Sequence, residues 1–398
     1  SRLVNTQEES FFYPSVGLSA IISQMVNLPD WFSYLKVRGS YTEVGAPVSR
    51  SGLTPGTITI PIVGGILQET GIYPFSDFKA ERTRSYEFGL EMRLWNNLRA
   101  QVTYYKSNTY NQTFLGELPE YSGYKQIYLQ AGNVENRGWE ASIGYKKRIR
   151  DFSVSSTLTF SRNVNDIREM VHDYHTDMSL EPINIPEVLK DNGRTILREG
   201  GSINDIYATT FLKKDSQGFV EAGEPVYLGK TTPDFTLGWN NVFAYKGFNL
   251  SFLLNGRFGG VVTSSTEAIM DRFGVSKASG DARQAGGVML AGQGLVDAQT
   301  YYKMIGTGNY QTSGYYVYSA TNIRLQQLTF GYTFPNKWFR NVLKDLTLTF
   351  IANNPWMIYC EAPFDPELTP STGTYGQGND YFMQPSVRSY AFSIKFKF

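Results

Sequence analysis

Apolar residues recur at every second position along much of this chain, and the links between those alternating stretches are short and long by turns. In residues 85–94, Tyr86, Phe88, Leu90, Met92 and Leu94 share one side, while Ser85, Glu87, Gly89, Glu91 and Arg93 share the other. A period of two describes an extended strand with one apolar and one polar face. The next strand, from Leu98, follows after only "WNN", the length of a hairpin turn. The same paired unit recurs at 138–149 with 152–160, at 234–245 with 248–259, and at 322–334 with 346–353. An earlier pair spans 14–23 and 34–44, and a last strand runs from 387 to 398. The pattern predicts about eleven strands.

The links discriminate between folds better than the strands do. Within pairs they are short; between pairs lie long polar stretches at 45–83, 107–137, 165–232, 260–321 and 354–387. Consecutive antiparallel strands reverse direction, so all short links fall at one edge and all long ones at the other. Compact soluble domains rarely hold loops above about 15 residues, whereas outer-membrane barrels have this asymmetry. A soluble sandwich would also alternate, but its strands run to about five or six residues. Several strands here reach the ten or so needed to cross a bilayer obliquely. Aromatics also gather at strand ends, as interfacial girdles would require: Trp31, Tyr34, Trp95, Tyr104, Tyr105, Trp139, Tyr245, Phe248, Tyr332, Phe334 and Trp338.

Composition narrows the solvent question. Charged residues make up 18% of the 398, against roughly 25% in ordinary globular chains. Mean hydropathy is −0.30, and no apolar run approaches the ~18 residues of a spanning helix. Strands are then the one way to cross a membrane, and closed barrels the one form they can take. The net charge of +1 carries no nucleic-acid footprint. Cys360 is the single cysteine and has no disulfide partner within the chain. His172 and His175 in "VHDYHTD" lack a second ligand cluster, and the segment reads as a polar loop without a metal. The Gly-rich runs lack the strand–turn–helix setting of a phosphate loop. No Gly-x-Ser-x-Gly elbow is present, and pairs such as Glu221 and Glu224 read as loop carboxylates. Neither a catalytic set nor a cofactor is predicted. The opening residues hold no basic-then-apolar leader, and the chain reads as a fragment with any targeting signal upstream.

Several blocks resemble a known family: "GNVENRGWEASI", "LGKTTPDFTLGWNNVFAYKGFNLSFLLNGRFGG", "ATNIRLQQLTFGYTFP" and "YPSVGLSAI". "FKAERTRSYEFGLEM" departs from the usual pattern by Ala80 in place of proline, and "FDPEL" sits before the last strand. In order and along essentially the whole chain, these are similar to the C-terminal half of the SusC/RagA-type TonB-dependent transporters of Bacteroidetes. The resemblance implies an all-β transmembrane antiparallel barrel, of which residues 1–398 supply the C-terminal portion, about eleven of roughly 22 strands. It implies short periplasmic turns, long extracellular loops, and a plug domain and N-terminal strands outside this chain. It also implies a SusD-like surface lipoprotein as lid, TonB engaged through the missing N-terminal part, and outer-membrane lipids as surroundings.

The resemblance assigns Tyr390, Phe392, Ile394, Phe396 and Phe398 to a barrel-assembly signal. A plain closing strand is the alternative. Asp365, Pro366 and Glu367 form the family's "DPE", read as a loop-structuring motif. The long links hold Tyr-rich tracts with Asn, Gln, Ser and Gly, which suit stacking on sugars or contact with peptide or a lid. Tyr124, Tyr128, Tyr310, Tyr315, Tyr316, Tyr375 and Tyr381 are the contact candidates. Three functions compete: import of an oligosaccharide or oligopeptide, an outer-membrane scaffold or adhesin, and a soluble β-rich enzyme domain.

Overall fold

The computed structural model describes residues 12–46, 62–63, 66–67, 80–117, 126–130, 132–174, 183–185, 187–190, 195–209, 212–214, 220–223, 225–306, 313–339, 342, 344–368 and 377–397. Eleven strands form one sheet. They are β1 (Ser15–Ile21), β2 (Phe32–Ala46), β3 (Glu81–Leu94), β4 (Leu98–Tyr110), β5 (Asn133–Ile149) and β6 (Phe152–Glu169). The sheet continues through β7 (Phe235–Tyr245), β8 (Phe248–Phe258), β9 (Asn322–Thr333), β10 (Lys344–Cys360) and β11 (Ser389–Lys397). Each pairs antiparallel with its neighbours in chain order, a pure meander. β1 and β11 are the two edges among the described residues.

The tight turns follow from local chemistry. Trp95 and Asn96 adopt φ of 48° and 57°, and Lys246 and Gly247 adopt 45° and 89°. Left-handed pairs of this kind match the twist of flanking strands. Several strands run further toward the long-link end than the alternation predicts. β5 begins at Asn133 and β6 ends at Glu169, where runs of Asn, Asp and Glu obscure the period.

The two faces differ throughout. Phe243, Leu250, Phe330, Phe350 and Phe392 lie opposite one another across five adjacent strands. Among the described residues no second layer covers that face: Phe330 is 50% and Phe392 83% exposed. Leaving each such ring in water forgoes about 1.5–3 kcal/mol of burial, so this face requires an apolar surrounding. On the other face Lys36, Glu91, Gln101, Ser142 and Thr159 form a polar row. Aromatic pairs mark the short-turn end: Trp31 with Trp95 at 6.0 Å, Phe248 with Tyr332 at 4.5 Å, Phe334 with Trp338 at 5.9 Å. Tyr104 and Trp139, 4.8 Å apart, sit higher on the apolar face. Tyr34 and Tyr105 do not join these belts. Tyr34 pairs with Arg93, and Tyr105 with Glu87, so both lie on the polar face.

Apart from Asn241 and Ala352 within the strands, the most deeply buried side chains gather at the long-link end. Val134, Ile167, Met170 and Leu197 cap the tops of β5 and β6, and Val262, Ala320 and Ala362 form a cluster above β8 and β9. The stretch between β8 and β9, expected as a polar link, holds three helices: α1 (Ser265–Arg272), α2 (Lys277–Gln284) and α3 (Ala298–Ile305). Ser264, Ser276 and Asp297 cap their N-termini by accepting backbone N–H bonds. Ala268, Leu290, Val296, Ile305 and Tyr316 pack between them. The Gly-rich run at 286–294 turns a small hairpin, Val288–Leu290 with Gly294–Val296.

Candidate functional site

Polar side chains on the inner rows reach across whole strands wherever a glycine leaves room. Arg38 on β2 crosses Gly89 of β3, and its Nη2 donates to Thr103 Oγ1 of β4 at 3.0 Å. A Cβ at residue 89 would collide with the Arg38 side chain. Likewise Tyr105 crosses Gly138 of β5, and its hydroxyl donates to Asn163 Oδ1 on β6 at 3.2 Å. Above them Glu135, 4% exposed, accepts ion pairs from Lys106 (2.9 Å), Arg137 (2.5 Å) and Arg168 (2.7 Å). Asp166 takes the second arm of Arg137 at 2.8 Å. These contacts stiffen the polar wall just below the long-link end.

The links over β8–β11 form a single packed unit. Arg324, at the top of β9, holds both carboxylate oxygens of Asp365, at 2.6 and 3.2 Å, and approaches Glu367 at 3.4 Å. Burial raises the Asp365 carboxyl, but hydrogen bonds from Arg324, Ser386 and the Glu367 amide outweigh it and hold the group below its usual range. The Glu367 N–H donates to Asp365 Oδ1 at 3.0 Å, an Asx turn closed over Pro366. A strand at Val261–Ser264 pairs parallel with Asn379–Asp380, and Ser264 Oγ donates to Asp380 Oδ2 at 3.0 Å. Inside the helical link, Tyr316 Oη donates to Asp271 Oδ2 at 2.8 Å, Ser276 donates to Asp271 Oδ1, and Tyr318 donates to Glu267. Burial first, and the carboxylate bond second, push the phenols of Tyr316 and Tyr318 above the ordinary tyrosine value. Burial pushes Tyr301 up to about 12.

The contact candidates scatter. Tyr381 is exposed, its ring edge-on to Phe382 at 5.4 Å. Tyr315 is partly buried, edge-on to Tyr301 at 6.3 Å. Tyr316 is 4% exposed and belongs to the helical core, so it offers no surface for a ligand or lid. Its tract gives no hint of this, because Asp271 lies 45 positions away. Tyr124, Tyr310, Tyr375, His175, Glu224 and Phe398 lie outside the described residues, as do the side chains of Tyr128 and Glu221. His172 falls in a short strand, Val171–Tyr174, where a loop was expected, with its side chain undescribed. Tyr390, Phe392, Ile394 and Phe396 all stand exposed on the apolar face of β11. The Cys360 thiol is free, its Sγ 3.4 Å from the Ala362 carbonyl. Among the described residues no three His, Cys, Asp or Glu side chains converge on a metal position. Sequence reading missed Arg324, Arg38 and Asp271. Arg324 could have been flagged as a charge interrupting "NIRLQQL".

The sequence matches the family described as TonB dependent receptor-like, beta-barrel, over residues 2–354. TonB-dependent receptor P3 of Formosa agariphila is 24% identical, over 97% of this chain and 42% of that protein. TonB-dependent receptor SusC of Bacteroides thetaiotaomicron is 22% identical, over 74% of this chain and 32% of its own length. The chain therefore spans less than half the length of these curated relatives. Among solved structures, the RagAB peptide importer in its open-open state superposes with a TM-score of 0.70 at 19% identity, covering 100% of this chain and 44% of that one. Its closed-closed state gives 0.67 at 18% identity, over 98% and 43%. The relatives are named as receptors and importers, not enzymes, and the fold, the two-faced sheet and the sequence match agree: this chain belongs to the TonB-dependent receptor-like β-barrel family.

Proposed function

We propose that the chain forms the C-terminal wall and extracellular mouth of an outer-membrane importer of oligomeric nutrients, glycan or peptide. In this reading it works as the SusC-like channel beneath a SusD-like surface lipoprotein and is energised through TonB by a part of the protein outside this chain. The observation that carries the reading is the pairing of a bare apolar sheet face with a polar, hydrogen-bonded inner face beneath packed long links. Such a wall suits hydrocarbon on one side and a wet lumen on the other. The RagAB structure that shares this fold is named a peptide importer, which supports a peptide among the candidate cargoes. The exposed residues of β11 serve assembly, and the Asp365–Pro366–Glu367 turn orders the last long link.

The test is oligomer uptake by cells carrying the full-length gene, its deletion, and a tonB deletion. Import predicts that both deletions abolish uptake and that the protein fractionates with the outer membrane. Unchanged uptake in both would leave a scaffold or adhesin instead, and a soluble folded full-length protein would end the membrane reading.

A further inference from the structure

Between the top of β6 and the link that follows it lies a cleft of about 550 Å³. Its lining includes Asp166, Arg198, Asp205, Tyr207, Tyr227 and Lys230, together with Glu199, whose Oε1 accepts the Met170 N–H at 2.9 Å. Most of the charges are already matched by the protein. Asp166 is paired with Arg137 and Arg168, and Lys230 with Asp234 at 3.0 Å. Asp205 is 5% exposed and accepts the Ser202 N–H at 2.9 Å. Arg198 is different. Among the described residues its guanidinium closes no ion pair, the Asp205 carboxylate acting on it only through space, and it stacks on the ring of Tyr207 with 4.8 Å to the centroid. Stacking fixes the plane of the guanidinium while leaving its N–H edge open. Tyr207 is buried and supports Tyr227, whose ring lies 5.4 Å away and which is 52% exposed as a residue. Gly200, at φ 77°, turns the chain so that the Gly201 N–H bonds back to the Arg198 carbonyl at 3.1 Å, which fixes the backbone under the side chain.

We propose that this cleft binds a carboxylate group of an oligomeric ligand, with Arg198 as the bidentate donor and Tyr227 as the platform for the adjoining non-polar surface. The proposal rests on the reading of the long links as the mouth of an importer. A planar donor fork beside an aromatic face matches carboxylate geometry. That carboxylate could end a peptide or belong to a uronic acid.

The full-length protein in detergent is offered two probe pairs. One is a short random peptide pool lacking Asp and Glu, as C-terminal acid and as amide. The other is oligogalacturonate against maltodextrin. Wild type is expected to retain the acid member of one pair on the order of tenfold better than its neutral counterpart, and the responding pair identifies the source. R198Q should abolish the preference, R198K should restore it in part, and Y227A should weaken acid and neutral members alike. Equal retention of acid and neutral probes by wild type, or a preference unchanged in R198Q, overturns the proposal. This readout needs no TonB, so loss of import and loss of carboxylate recognition are scored separately.

Discussion

Arg324 and Asp365 face each other through two nearly parallel hydrogen bonds, with side chains only 8% and 7% exposed, and so tie the top of β9 to the link preceding β11. Removing one charge strands the other. Asp365→Asn should destabilise this region by about 3–5 kcal/mol, whereas Arg324→Met with Asp365→Leu together should cost less than either alone. Protease cleavage within residues 361–388 of the full-length protein in membranes would report the difference. The Asp365 carboxyl is depressed in the folded state, so its contribution is complete above the ordinary carboxylate range. It should be lost as pH falls from that range, near ~3.9, through the lower folded value. Cleavage that is pH-independent in wild type across strong acid would contradict this.

Gly138 and Gly144 lie on the same strand and make a controlled comparison. A Cβ at 138 would collide with the Tyr105 ring and the Arg162 carbonyl, while one at 144 meets nothing nearer than Thr157 Oγ1 at 3.4 Å. Gly138→Ala should lower stability by about 1–3 kcal/mol through overpacking, and Gly144→Ala should be close to neutral. Thermal loss of the compact band on unheated gels measures both.

Tyr316 and Tyr318 have raised phenol pKa values, so their protonated forms stabilise the helical link fully below the ordinary tyrosine value of ~10. That contribution is lost as pH rises above it toward the folded values. Hydrogen exchange of α1 and α3 should accelerate in strong alkali. Tyr316→Phe should accelerate it already at neutral pH, by about 1–3 kcal/mol for the unsatisfied Asp271 oxygen. Equal exchange in the two proteins at neutral pH would exclude a structural role for that bond.

The apolar row through Phe330 and Phe392 should tolerate Leu but not charge. Phe330→Arg should cost about 2–4 kcal/mol if the row lies near mid-bilayer, whereas Ser393→Lys, on the opposite face of β11, should leave assembly unchanged. Deleting Phe398 should reduce assembled barrel without altering which oligomer is taken up. Heat-modifiable protein in the outer-membrane fraction is the measure for all three.

What could be read from residues alone was whatever depends on neighbours two positions apart. A strand's faces are set by the pleat, so the eleven strands, their apolar rows and the short turns at Trp95–Asn97 and Lys246–Gly247 followed from local order. Only the tertiary structure decided the interior of the long links, because their contacts join distant positions. Asp271 meets Tyr316 across 45 residues, and Ser264 meets Asp380 across 116. Eight-residue helices such as α1–α3 are marginal without such packing, so no propensity signal announced them. Tyr316 could be read as a surface ring for the same reason that Tyr381 could: composition shows which side chains a link carries, and burial depends on what folds against it.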